Sequence, residues 1–208
     1  MANVVRLPYL GPKGKLKVIV ACEYSGRVRD AFTARGHEAW SCDLLPTESP
    51  GLHIQGDIWD VLKGIYEGRL KYDLVIAHPP CTRLAVSGAL HFHKYEAEQE
   101  AALKLVEYML GLPVAHLAIE NPISIISSRL RKPSQIIQPW QFGHGETKAT
   151  CLWLKGLPNL LPTNIVDGRE SKVHNMSPGP NRGKLRSLTY AGIATAMAAQ
   201  WSEDVSNG

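Results

Sequence analysis

No apolar run in this 208-residue chain approaches the roughly 20 residues that a membrane span needs. Residues 1–14 also lack the basic-then-apolar pattern of a secretory signal. Residues 1–15 read instead as a loose lead-in punctuated by Pro8, Gly11, Pro12 and Gly14. The four cysteines, Cys22, Cys42, Cys81 and Cys151, form no CxxC pair and have no zinc-like histidine spacing, so no metal site is expected. Each sits in or beside an apolar run, which suits reduced thiols in a cytoplasm better than disulfides, and a cytoplasmic location is the expectation. Internal repeats and low-complexity segments are missing too, which argues against a repeat architecture. What remains is a chain 44% hydrophobic and 20% charged, with Gly and Pro spread along it. That composition and length support one folded domain, expected over 16–208, with a sizeable core.

The net charge of +4 is mild, but its place is informative. Between Trp153 and Tyr190 stand Lys155, Arg169, Lys172, Arg182, Lys184 and Arg186 against Asp167 and Glu170, so this segment carries the whole excess. Such a stretch could contact phosphates; composition alone suits a solvated loop equally well.

Strand and helix signals alternate from Lys17. Short apolar runs at Lys17–Ala21, Glu38–Cys42, Asp73–Ala77, His116–Ile119, Ile136–Ile137 and Cys151–Leu154 read as strands. Helical spacing recurs around Val28–Phe32, Trp59–Tyr66, Lys94–Leu110 and Ile193–Trp201. In the third of these, Ala97, Ala101, Leu105 and Met109 are expected to share the buried face. Alternating units imply an α/β fold with a mostly parallel sheet and helices on both faces. Ligands of such sheets sit beyond the carboxyl ends of the strands. The unusual residues fall there: Glu23 to Gly26, Asp43, His78 to Cys81, and Glu120 to Pro122.

After the first strand comes Cys22-Glu-Tyr-Ser-Gly26-Arg-Val28, whose glycine lets backbone approach a ligand closely. Asp43, 17 residues beyond Gly26, ends the next strand, where an acid commonly accepts hydrogen bonds from ribose hydroxyls. Gly56-Asp57-Ile58 adds an acid and an apolar side chain suited to an adenine amino group and ring face. Singly, each fits a structural glycine or a capping acid; in this order they favour an adenosine-containing cofactor. In Ala77-His-Pro-Pro-Cys81, two prolines stiffen the turn and fix where the cysteine points. Cys22, Cys42 and Cys151 read as small buried hydrophobes, whereas Cys81 is placed to be a nucleophile for a soft ring carbon. Glu120-Asn121-Pro122 reads as ending a strand beside Cys81, either as a capping turn or as an acid that protonates nitrogen 3 of cytosine. In the second role, desolvation should raise its pKa.

Tyr24-Ser-Gly26, Asp43, Gly56-Asp57-Ile58, Pro79-Pro80-Cys81 and Glu120-Asn121-Pro122 occur in the order found in cytosine-5 DNA methyltransferases, which this chain resembles over about residues 17 to 154. The loop Cys81 to Gly88, with Val86, is similar to that family's mobile catalytic loop. The resemblance implies a doubly wound, mostly parallel seven-stranded sheet of the class I S-adenosyl-L-methionine-dependent methyltransferase type. It implies S-adenosyl-L-methionine held by Tyr24, Ser25, Gly26, Arg27, Asp43, Leu44, Asp57, Ile58, His78 and Pro79. It further implies that Cys81 attacks carbon 6, Glu120 stabilises the protonated ring, Lys148 positions the base, and carbon 5 takes the methyl group. Pro80, Arg83, Asn121, Arg182, Lys184 and Arg186 are expected to contact the substrate, which in duplex DNA must be flipped from the stack.

The departures are specific. Val28 stands where the family has a second glycine, and Glu-Asn-Pro replaces Glu-Asn-Val. Glu146-Thr-Lys148-Ala-Thr150 replaces a Gln-x-Arg-x-Arg motif, so Lys148 lacks the bidentate fork of arginine. The cofactor-side motif of the C-terminus is faintly echoed by Ser187 to Ala198. A separate target-recognition domain is reduced to a basic loop segment over 155–190, as in small phage and prophage methylases. The leading expectation is methyl transfer to DNA cytosine. RNA, single-stranded DNA or a free cytidine nucleotide is the second, and an inactive cofactor- or nucleic-acid-binding module needing a partner the third.

Overall fold

The computed structural model describes residues 14–179 and 182–207. Most of the expected lead-in, including Pro8, Gly11 and Pro12, lies outside them. Seven strands form one sheet: β1 (Lys17–Ala21), β2 (Glu38–Asp43), β3 (His53–Gln55), β4 (Leu74–Ala77), β5 (His116–Pro122), β6 (Gln135–Ile137) and β7 (Thr150–Lys155). Their order is β3-β2-β1-β4-β5-β7-β6, and β7 alone runs antiparallel to its neighbours β5 and β6. This is the doubly wound, mostly parallel seven-stranded sheet expected from the sequence.

Alternation along each strand separates two cores. Val18, Val20, Leu74, Ile76, Ala118 and Leu152 face α1 (Arg27–Thr33) and α7 (Ala191–Asn207), meeting Val28, Phe32, Met197 and Trp201. Ile19, Val75, Ala77, Leu117, Ile119 and Trp153 face α2 (Ile58–Tyr66) and α3 (Glu96–Leu110), meeting Leu62, Leu103, Val106 and Met109. Both faces are therefore buried, which is why the central strands read as unbroken apolar runs. Gly192 lets α7 seat tightly: a Cβ there would lie 1.9 Å from the Phe142 carbonyl oxygen.

Three expectations are corrected. The buried face of α3 is Gln99, Leu103, Val106 and Met109, while Ala97 and Ala101 are exposed. A strict four-residue step advances about 40° around the helix each time, so the expected stripe drifts off the core. β5 does not end before Glu120 but continues to Pro122, because β7 pairs Glu120 with Leu152 and Pro122 with Thr150. Finally, beyond the single-turn helix α4 (Ile126–Arg129), the expected loop over 155–190 contains two short helices, α5 (Lys172–Asn175) and α6 (Arg182–Ser187).

Candidate functional site

Strand register assembles the site. Ala21 lies opposite both Cys42 and Ala77, and Ala77 lies opposite Ile119. One residue further along each strand, a row crosses the carboxyl edge of the sheet: Asp43, Cys22, His78 and Glu120. The expectation that the unusual residues gather there holds.

The turn from β1 into α1 is tightly built. Cys22 adopts φ 59° and Gly26 φ 74°, both left-handed; for Cys22 that is a strained conformation of the kind that clusters at functional sites. Glu23, which the sequence reading left without a role, is buried and turns its carboxylate onto the start of α1, accepting from the backbone N–H of Val28 at 2.6 Å and Arg29 at 3.2 Å. A charged acceptor at a helix N-terminus is favourable, and it takes the place a ligand anion would occupy. Cys22 is not the buried hydrophobe expected: it is half-buried, and burial, with Asp43 nearby, pushes its thiol up to about 12. Cys42 and Cys151 are fully buried, as expected.

Beside this turn opens a cleft lined by Cys22, Glu23, Tyr24, Ser25, His78 and residues 187–189. Arg29 in α1 is also unforeseen. The fully buried guanidinium reaches Ser41 Oγ, Thr47 Oγ1 and the Ser49 carbonyl at 3.2, 3.0 and 2.8 Å, and pairs with Asp30. It thereby holds the segment after Asp43. Asp43 itself accepts from the Leu45 N–H at 2.9 Å, and Leu44 is exposed. Asp57 caps α2 through the Trp59 N–H at 3.0 Å. Ile58 is corrected: it packs into the core against the sheet rather than offering a face to a ring.

The His-Pro-Pro-Cys turn follows β4. Pro79 is buried and Pro80 exposed, and the Asn121 amide donates to the Pro79 carbonyl at 2.8 Å. Asn121, itself buried, thus clamps the turn and does not reach outward as a substrate contact. Cys81 is half-buried. Burial and the Glu120 charge push its thiol up; Lys148 and Arg186 pull it down. The loop beyond is anchored at its near end, where Val86 N–H donates to the Ile123 carbonyl and Ile125 N–H to the Leu84 carbonyl, at 3.1 and 3.0 Å.

His78 Nδ1 lies 2.9 Å from Glu120 Oε2, and both side chains are about nine-tenths buried. The expectation that burial would raise the acid's pKa is overturned. Burial does push Glu120 up, but the hydrogen bond and charge of His78, with Lys148, outweigh it and hold the carboxyl below its ordinary value. Burial pushes His78 down; the Glu120 hydrogen bond and charge, with Glu23, lift it above its ordinary value. Each group thus favours the charged form of the other.

The basic segment is a strap over this edge. Tyr24 Oη donates to the Lys184 carbonyl at 3.1 Å, Arg27 to the Thr189 carbonyl at 2.9 Å, and Lys148 to the Arg186 carbonyl at 2.8 Å. Lys184 pairs with Glu48. Arg182 donates to the Met176 carbonyl at 2.9 Å. Arg83, expected at the substrate, stacks on Tyr95 and pairs with Glu98 at 2.6 Å. These cations hold the fold around the cleft.

No family model and no curated protein matches the chain. Among solved structures it is similar to a crystal structure of a SAM-dependent methyltransferase from Neisseria gonorrhoeae, at 14% identity and a TM-score of 0.38. The match covers 72% of this chain and 63% of that one, so the chain spans less than two thirds of its relative's length. A likeness at that level carries no argument about activity.

Proposed function

We propose that this chain transfers a methyl group from S-adenosyl-L-methionine to carbon 5 of cytosine in DNA, with Cys81 as nucleophile. The observation that carries the reading is the juxtaposition, at one carboxyl edge, of a cysteine on a Pro-Pro turn with a buried acid one strand away. A protein that only binds nucleotides needs neither.

The cleft suits the cofactor in charge. Its wall includes the Glu23 carboxylate, which already occupies the start of α1. An anionic phosphate would be repelled there, whereas an amino group or a sulfonium would be attracted. When bound, S-adenosyl-L-methionine supplies an electrophilic methyl group. Tyr24, Ser25 and His78 would line it, Asp43 would meet its ribose, and residues 187–189 would cover it.

The chain's own residues do the rest. Cys81 gives its proton to solvent and its sulfur bonds to carbon 6 of the ring; the displaced electron pair runs to nitrogen 3, which takes a proton from the Glu120 side. Carbon 5 is then nucleophilic and accepts the methyl group. Loss of the carbon 5 proton to a base and departure of Cys81 restore the ring. Lys148 places positive charge beside both the thiol and the carboxylate.

The test is transfer of labelled methyl to cytosine-containing duplex DNA, with covalent trapping on 5-fluorocytosine DNA. Wild type should form the adduct and Cys81→Ala should not. Equal transfer by both would overturn the mechanism. A second reading keeps the chemistry on RNA, single-stranded DNA or a nucleotide. It is favoured by the strap, whose Arg182 and Lys184 are engaged within the protein rather than held out to read base edges. Comparing the four substrates separates the two.

A further inference from the structure

The His78–Glu120 contact is the least expected feature of the site. Register alone brings the two together, since each follows directly on the paired Ala77 and Ile119. Glu120 Oε2 is occupied by His78 Nδ1 at 2.9 Å, while Oε1 has no hydrogen-bond partner among the described residues. On the other side of the ring, His78 Nε2 is sealed from solvent with no partner among the described residues. A buried polar atom without a partner calls for an acceptor from outside the protein, and His78 lines the cleft where one would arrive.

We propose that His78 and Glu120 form a proton relay in which His78 stores the proton that Glu120 passes to nitrogen 3 of the target ring. This rests on the cytosine-5 reading and deepens it. As the Cys81 sulfur bonds to carbon 6, the proton on His78 Nδ1 moves to Oε2 and a proton reaches nitrogen 3 through Glu120. His78 is left neutral and Glu120 a carboxylate. When Cys81 departs, the nitrogen 3 proton returns by the same route, so the relay is unchanged over the cycle. His78 touches no reacting atom and acts through Glu120 as a positioning residue. Its neighbours set the working range. Glu120 on β5 and Glu23 after β1 favour the charged ring, and Lys148 before β7 opposes it.

Two measurements on the full chain test this. Nitrogen-15 NMR of His78 should show an imidazolium persisting above the ordinary histidine value of 6.5, falling back in Glu120→Gln. Adduct formation on 5-fluorocytosine DNA should lose rate as pH rises through that titration in wild type. In His78→Gln, which keeps an N–H donor but cannot titrate, the alkaline limb should vanish and the rate near neutrality should drop about 100-fold. Far-ultraviolet circular dichroism of both proteins serves as the control for folding. Wild-type adduct with an unchanged rate and pH profile in His78→Gln would overturn the relay and leave the cytosine-5 reading standing. A wild type that forms no adduct on duplex, single-stranded DNA or nucleotide would overturn both. A His78 that titrates at or below its ordinary value overturns the relay whatever the kinetics show.

Discussion

Replacing Arg29 with methionine tests whether one buried cation shapes the cofactor edge. The substitution keeps the apolar stem of a fully buried side chain and deletes its donors. Most of the acceptors left behind are not orphaned. Ser41 Oγ keeps His53 Nδ1 at 2.9 Å, the Ser49 carbonyl keeps the Thr47 hydroxyl at 3.0 Å, and Asp30 keeps the Ser49 hydroxyl at 2.5 Å. Among the described residues, the Pro50 carbonyl, 3.4 Å from the guanidinium, and Asp30 Oδ1 lose their side-chain donors. Removing the charge also recovers its desolvation cost, so the loss should fall below the roughly 3–5 kcal/mol of breaking an isolated buried pair. Two short charge-assisted bonds lost net of that recovery give about 2–3 kcal/mol. For a chain this long that lowers the thermal midpoint by about 4–12 °C. Freed from its clamp, the segment after Asp43 should also loosen, weakening S-adenosyl-L-methionine binding by more than the melt alone explains. Circular-dichroism melts and calorimetric titration read both effects. A midpoint within a degree of wild type with unchanged affinity would refute the clamp.

Four further outcomes follow from the same geometry. Gly192→Ala should lower stability by at least about 2 kcal/mol, since its Cβ would meet the Phe142 carbonyl at 1.9 Å; a denaturant titration with unchanged midpoint would contradict this. Arg186→Ala should raise the Cys81 thiol pKa and slow alkylation by iodoacetamide near neutral pH, because Arg186 helps pull that thiol down. Tyr24→Phe removes the bonds to the Lys184 carbonyl and Ser187 Oγ at 3.1 and 3.2 Å, and should speed cofactor dissociation several-fold by stopped flow. The His78–Glu120 pair should stabilise the fold only in a window. His78 is raised, so its share is present below 6.5 and lost as pH rises through its folded value; Glu120 is lowered, so its share is present above 4.5 and lost as pH falls. Melts across pH should show both declines in wild type and a reduced alkaline one in His78→Gln.

Central strands were legible because burial on both faces leaves an unbroken apolar run, as in Val18-Ile-Val-Ala21 and Leu74-Val-Ile-Ala77. β3 was not. It has three residues, His53-Ile-Gln55, sits at the sheet edge, and carries no run to read. The α3 stripe misled because alanines are tolerated on either face, whereas the buried Gln99, which donates to the Arg83 carbonyl at 2.9 Å, looks polar in the sequence. Of the helices within 155–190, α6 was missed because it is held by contacts with loops far away in the chain, such as Lys184 with Glu48, and α5 because it leans on the segment before β7, where Lys172 pairs with Glu146.

The site divides along the same line. Which residues stand at strand ends can be read locally; which of them touch cannot. Whether Glu120 is held protonated or ionised depends on a residue 42 positions earlier, placed by the Ala77–Ile119 register. Val28 shows the opposite case, a departure that looked damaging. The family's second glycine keeps the start of the helix open for a ligand, but here the Val28 N–H is already taken by Glu23 at 2.6 Å. With the helix end satisfied from within, backbone approach at that position is no longer required, and a β-branched side chain can turn into the core beside Phe32. Val28 and the buried Glu23 thus form one local arrangement. Glu23→Gln should test this coupling: it removes the charge and keeps one acceptor, so α1 should persist while affinity for the cationic cofactor falls relative to its neutral demethylated product. Equal loss for both ligands would show that Glu23 serves the helix alone.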